Sequence, residues 1–260
     1  MKITILGARG SVPVNGRDMQ EFGGATSCVL VETPDQAIFL DAGTGIIRTP
    51  DIGDKHISIL LTHPHIDHLV GLPFFPYVNE SGRAVDIYAK RRGAFGAAEQ
   101  IDRFISPPLW PCIVTDYPAV LNPIDLMLPL KLGDVTVTGI ESEHPGGSIV
   151  FKLSCEGKSL VYATDYECYE TKLPALIDFV RDCDLLMYDG QYTEEELIKN
   201  RGFGHSTISS GMRVKEEGNV RAVRFVHHDP RHTDEQLRAM EETVKGDGVA
   251  FAREGEVLEL

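Results

Sequence analysis

Residues 57–68 read Ile57-Ser58-Ile59-Leu60-Leu61-Thr62-His63-Pro64-His65-Ile66-Asp67-His68, and this stretch decides the fold. It opens as a β-branched, apolar run of the kind that makes a buried strand. At Thr62 it breaks into three histidines and an aspartate within six positions, with Pro64 among them to stop a helix or a ladder from continuing. Four ligand-type side chains on one short loop at a strand end cannot spread apart, so their nitrogens and oxygens converge. Imidazole nitrogen with carboxylate oxygen suits zinc, manganese or iron, and no cysteine stands nearby to make a structural zinc finger. The segment reads as a metal site, not as a polar loop that happens to be rich in histidine.

Composition bounds the rest. A chain of 260 residues can bury a full core as one large domain or two small ones. A formal charge of −14 and a pI near 5 argue against extended nucleic-acid binding, which needs clustered Lys and Arg. The densest basic run, Lys90-Arg91-Arg92, is only three residues long. A small anionic substrate remains compatible, because metal ions supply positive charge locally. Five cysteines, odd in number and without a Cys-x-x-Cys pair, read as reduced cytosolic thiols. The apolar run at residues 3–6 is too short for a signal peptide and no stretch approaches membrane-spanning length, so the expectation is a cytoplasmic protein with no membrane partner.

Along the chain, one arrangement recurs: an apolar strand delivers a ligand-type residue at its tip. The strand at 37–40 ends in Asp41, placed to fix the orientation of a ligating histidine through its other N–H. The strand at 135–140 leads to His144, that at 160–164 to Asp165, and that at 221–226 to His227-His228. Six of the nine histidines (63, 65, 68, 144, 205 and 227) fall at such tips, a distribution that scattered core histidines do not produce. His205 stands in Gly204-His205-Ser206-Thr207, where Ser206 or Thr207 caps a helix over 208–217. That N-terminus favours anions, and a titratable imidazole beside it suits acid catalysis on a phosphate. Residues 94–123 carry the only tryptophan, Trp110, in a stiff Pro-rich segment that suits a lid or pocket wall. Two sheets packed face to face, helices outside and a site along one edge accommodate this pattern.

Thr62-His63-Pro64-His65-Ile66-Asp67-His68, followed by His144, Asp165 and His227, resembles the metallo-β-lactamase superfamily. Gly204-His205-Ser206-Thr207 resembles its ribonuclease Z-like branch. Gly7-Ala8-Arg9-Gly10-Ser11, Phe22-Gly23-Gly24, Asp41-Ala42-Gly43-Thr44-Gly45 and Ser106-Pro107-Pro108 resemble a bacterial cyclic-phosphodiesterase-like subgroup. The resemblance covers nearly the whole chain and implies a four-layer αββα sandwich of the α/β class, with two mixed sheets and one domain over 1–260. It implies two divalent ions, zinc or manganese with iron also compatible. His63, His65 and His144 would hold one, Asp67, His68 and His227 the other, and Asp165 would bridge them. Asp67 and His205 would be catalytic, with Trp110 and Ser206 as substrate contacts and Asp41 behind the ligands. His227 is preferred to His228 because Phe225-Val226 leads into it as a strand.

Members that process tRNA carry a long arm, commonly between the third histidine and the bridging aspartate, where this chain has only the hairpin between 144 and 165. With the acidic balance, that points to hydrolysis of small phosphodiesters such as cyclic nucleotides and away from an RNA 3′-processing nuclease. A lactonase or thioester hydrolase on the same scaffold, and a metal-containing regulatory binder, are the alternatives. The branch is often dimeric, so a homodimer is also implied, although the sequence itself shows no interface.

Overall fold

Alternate residues of the first strands face two different apolar layers, which is why these runs are hydrophobic throughout. Val29, Val31, Ile38, Leu40 and Leu60 join one cluster, whereas Leu30, Phe39, Ile59 and Leu61 join another. In the computed structural model, which describes residues 1–260, six strands in chain order begin the first sheet. They are β1 (Lys2–Gly7), β2 (Cys28–Glu32), β3 (Gln36–Leu40), β4 (His56–Leu61), β5 (Ala84–Ala89) and β6 (Val120–Asp125). The second sheet follows with β7 (Leu130–Leu132), β8 (Val135–Ser142), β9 (Ser148–Cys155), β10 (Lys158–Ala163), β11 (Leu185–Asp189), β12 (Ala222–Val226) and β13 (Val249–Phe251). The chain then returns to the first sheet as β14 (Val257–Glu259), giving the orders β14-β1-β2-β3-β4-β5-β6 and β13-β12-β11-β10-β9-β8-β7.

Both sheets are mixed: β1 to β3 pair antiparallel and β3 to β6 parallel, while β8 to β10 pair antiparallel and β10 to β13 parallel. The sheets meet through Ile3, Ile5, Val29 and Leu60 on one side and Val137, Phe151, Leu160 and Met187 on the other. Helix α1 (Ala97–Phe104) covers the outer face of the first sheet. Helices α2 (Leu173–Val180), α3 (Glu194–Asn200), α4 (Ile208–Glu217) and α5 (Asp234–Glu242) follow, and Leu176, Val180, Val214 and Leu237 seal the outer face of the second. The architecture is the expected αββα sandwich. No helix is long and apolar enough to cross a membrane.

Two readings need adjustment. Trp110 packs against Phe74 at a ring separation of 5.3 Å, and its indole N–H donates to the Tyr117 hydroxyl at 3.0 Å. Those contacts place it in the outer cluster of the first sheet, and none of them is with a histidine. Ser206 is fully buried; its hydroxyl bonds to the Tyr166 carbonyl and to the Tyr188 hydroxyl, which leaves no free face for a substrate.

Candidate metal centre

The carboxyl ends of the parallel strands deliver the polar side chains to one rim, where open α/β sheets place their sites. β3 ends at Asp41, β4 at His63–His68, β8 at His144, β10 at Asp165, β11 at Asp189 and β12 at His227. Asp41, Asp165 and His227 have φ of +64°, +52° and +62°, a left-handed conformation that costs a side-chain-bearing residue about 1–2 kcal/mol. Each takes that turn where its strand stops, which swings the side chain back over the rim. Ser11 does the same at φ +62° and donates its backbone N–H to Oδ2 of Asp67 at 2.8 Å.

Two nests of ligand atoms result, one on each side of Asp165. Nε2 of His63 and Nε2 of His144 each lie 3.7 Å from Asp165 Oδ1, and His65 Nδ1 lies 3.1 Å from His144 Nε2. On the other side, Nε2 of His68 is 3.2 Å from both Asp67 Oδ2 and Asp165 Oδ2. Nε2 of His227 is 3.2 Å and 3.4 Å from the same two oxygens. His228 turns away: its Nε2 donates to the Ala252 carbonyl at 2.9 Å, and its ring lies against Phe22 and Phe251.

The outward nitrogens are fixed in turn. Nδ1 of His68 donates to Asp41 Oδ2 at 2.8 Å. Nδ1 of His63 meets the Thr62 hydroxyl at 3.0 Å, and that hydroxyl donates to Asp41. Nδ1 of His144 donates to the Gly204 carbonyl at 3.1 Å and Nδ1 of His227 to Gln191 Oε1 at 2.7 Å. These bonds leave the inward nitrogens as lone-pair donors toward the two nests. His205 sits beside them, with Nδ1 3.9 Å from Asp165 Oδ1 and donating to Asp189 Oδ2 at 2.9 Å.

The electrostatics divide the nests. Burial lowers His63 well below its ordinary value and pulls His144 down to about 4, so both are neutral bases at pH 7. Burial also works against charge on His227, but Asp165, Asp67 and Asp189 outweigh it and bring its pKa up to about 9. Burial opposes ionisation of Asp67, yet the charges of His68 and His227 hold its carboxyl far below the usual range. Nε2 of His63 and Nε2 of His68 are buried without a hydrogen-bond partner, an expensive condition that a cation in each nest relieves. Asp41, Asp67, Asp165 and Asp189 are all buried; ionised, their four charges balance two divalent ions. The residues fit a dinuclear centre.

Sequence reasoning passed over Ser11, Gln191, Asp189 and Glu167. Asp189 carried a signal, since it ends an apolar strand as the others do. Gln191 carried none, and Ser11 acts on Asp67 through its backbone, which any residue type shares.

A profile of the beta-lactamase superfamily domain matches residues 7–228. The chain is 24% identical to ribonuclease Z of Clostridium tetani, over 89% of each chain. In structure it resembles the metallo-beta-lactamase fold protein YhfI of Bacillus subtilis, with a TM-score of 0.75 and 18% identity over 99% of this chain and 98% of that one. It also resembles the short form of human tRNase Z, with a TM-score of 0.72 and 16% identity over 100% and 99%. Zinc-bound PqqB of Methylobacterium extorquens superimposes with a TM-score of 0.70 and 17% identity over the full length of both chains. Relatives named for action on RNA, and on tRNA in the human protein's case, overturn the expectation that an extended nucleic acid is no partner. Net charge averages over a whole surface, and it does not report the field of one cleft that gathers cations. The fold and its family imply divalent ions. The chain belongs to the metallo-β-lactamase superfamily, in its ribonuclease Z-like branch, and is one of that family's hydrolases.

Proposed function

We propose that the chain, acting as one domain over residues 1–260, is a dinuclear-metal phosphodiesterase with RNA among its substrates. The observation that carries this reading is the division of Asp165 between two nests, with His205 beside it. His63, His65, His144 and Asp165 would hold one ion, and Asp67, His68, His227 and Asp165 the other. When bound, such a pair acidifies a water and offsets charge on the phosphoryl oxygens.

The chain's own residues supply the rest. Asp67, steadied through Oδ2 by the Ser11 N–H, orients the attacking water. His205 is held at Nδ1 by Asp189, which leaves Nε2 to give a proton to the departing oxygen. A thioester hydrolase has less use for the His205–Asp189 dyad, because a thiolate leaves without protonation by an acid. The ribonuclease names of the relatives favour a phosphodiester, and they favour RNA within that class.

The test is turnover by metal-replete protein, with zinc and with manganese, of bis(p-nitrophenyl) phosphate, 2′,3′- and 3′,5′-cyclic nucleotides, a tRNA with a 3′ extension, and a lactone. Hydrolysis of phosphodiesters that stops on chelation is the expected result. Turnover of the lactone alone, or of nothing at full metal occupancy, contradicts the reading.

A further inference from the structure

Beside the metal nests, the segment Arg201-Gly202-Phe203-Gly204-His205 forms a turn that carries Phe203. Phe203 is 61% exposed, although a phenyl ring left in water is a cost when nothing covers it. The turn that holds it there is built, not loose. Gly202 and Gly204, on either side of the ring, have φ of +91° and +92°, a region open to glycine and strained for other residues. Glu167 is buried and pairs with no cation; its carboxylate instead accepts the N–H of Gly202 at 2.8 Å and that of Gly204 at 2.9 Å. One buried carboxylate thus clamps the backbone on both sides of a single exposed aromatic.

The clamp also sets distance. The Gly204 carbonyl accepts from His144 Nδ1, and a Cβ on Gly204 would overlap the His144 ring, so the turn is fixed to a ligand nest and Phe203 stands two residues from His205. A cavity of about 220 Å³ reaches from His144 and Pro145 to Tyr169 and Gly202, so open space adjoins the turn. Arg201 is exposed on the same turn.

We infer that Phe203 is a specificity-determining residue, a rigid platform on which a nucleobase flanking the scissile phosphate stacks. The inference rests on the phosphodiesterase reading and narrows its substrates to nucleotide-bearing ones. Base–aromatic stacking is sequence-tolerant and strong enough that loss of the ring changes affinity by about 10-fold or more.

The test is binding to the metal-replete full chain of adenosine 5′-monophosphate against ribose 5-phosphate, which lacks the base, with turnover of the phosphodiester panel measured in parallel. Wild type is expected to favour the nucleotide by about 10-fold, Phe203→Ala to erase the preference by weakening the nucleotide alone, and Phe203→Trp to keep it. A preference that survives Phe203→Ala, or one absent from wild type, overturns the inference. Absent turnover with the preference intact sinks the phosphodiesterase reading while leaving the stacking platform standing.

Discussion

Nδ1 of His68 lies 2.8 Å from Oδ2 of Asp41, and the same carboxylate takes the hydroxyl proton of Thr62, whose oxygen meets His63. A single buried aspartate therefore orients one imidazole in each nest. Asp41→Asn keeps the shape but offers an amide N–H where a carboxylate oxygen accepted, so one of the two contacts must break. Metal affinity should fall by about 10- to 100-fold, the usual cost of losing such support. Titration with a competing chelator measures it; unchanged affinity for both ions would remove Asp41 from the centre.

His205 and Asp189 form the acid dyad. His205→Ala should leave both ions in place and lower phosphodiester turnover by roughly 10²- to 10⁴-fold. Asp189→Asn should act in the same direction with metal content unchanged, because Asp189 works through His205. Metal analysis beside steady-state kinetics separates the outcomes, and full activity in His205→Ala excludes the role.

Gly204 is required for two reasons, its φ of +92° and the His144 ring beyond it. Gly204→Ala adds a Cβ that is strained on the backbone and pressed on His144. The metal-free protein should lose about 2 kcal/mol in urea unfolding, within the range for overpacked sites. The nest containing His144 should also bind its ion more weakly. Stability and metal uptake matching wild type would show that the turn can shift at no cost.

Protons and metal should compete at one nest and not at the other. His227, drawn up to about 9 by Asp165, Asp67 and Asp189 against the effect of burial, holds a proton at neutral pH that must leave when a cation binds. His144, held down to about 4 by burial, has none to release. Affinity at the His227 side should rise by about tenfold per pH unit per proton up to about pH 9, while the His63–His144 side stays nearly flat above pH 7. In the metal-free chain the same shift stabilises the fold fully below about pH 6.5, and that contribution fades as pH climbs through about 9. Calorimetry in buffers of different ionisation enthalpy counts the protons; equal release at both sites contradicts the assignment.

The inner strands of the first sheet, the ligand tips and the carboxylate behind them were legible because each is written as an apolar run ending in a polar residue. Asp41 illustrates this: its place at the end of residues 37–40 predicted its contact with a histidine. Elements without that contrast were not legible. β6 carries Pro123, tolerated because the strand lies at a sheet edge, and β14 is largely exposed, so neither has a periodic apolar pattern. Gln191, Glu167 and Ser11 act across 36, 35–37 and 56 positions of chain, through contacts that only the folded topology creates. Trp110 misled for a related reason, since an aromatic next to prolines looks the same whether it walls a pocket or fills an outer cluster.

Anomalous diffraction from crystals grown with zinc or manganese tests the shared aspartate most directly. The account predicts two peaks, one near His63, His65 and His144 and one near Asp67, His68 and His227, with Asp165 oxygens facing both, and loss of both peaks in Asp165→Ala. A single peak that does not touch Asp165, or two ions retained without its carboxylate, would contradict it.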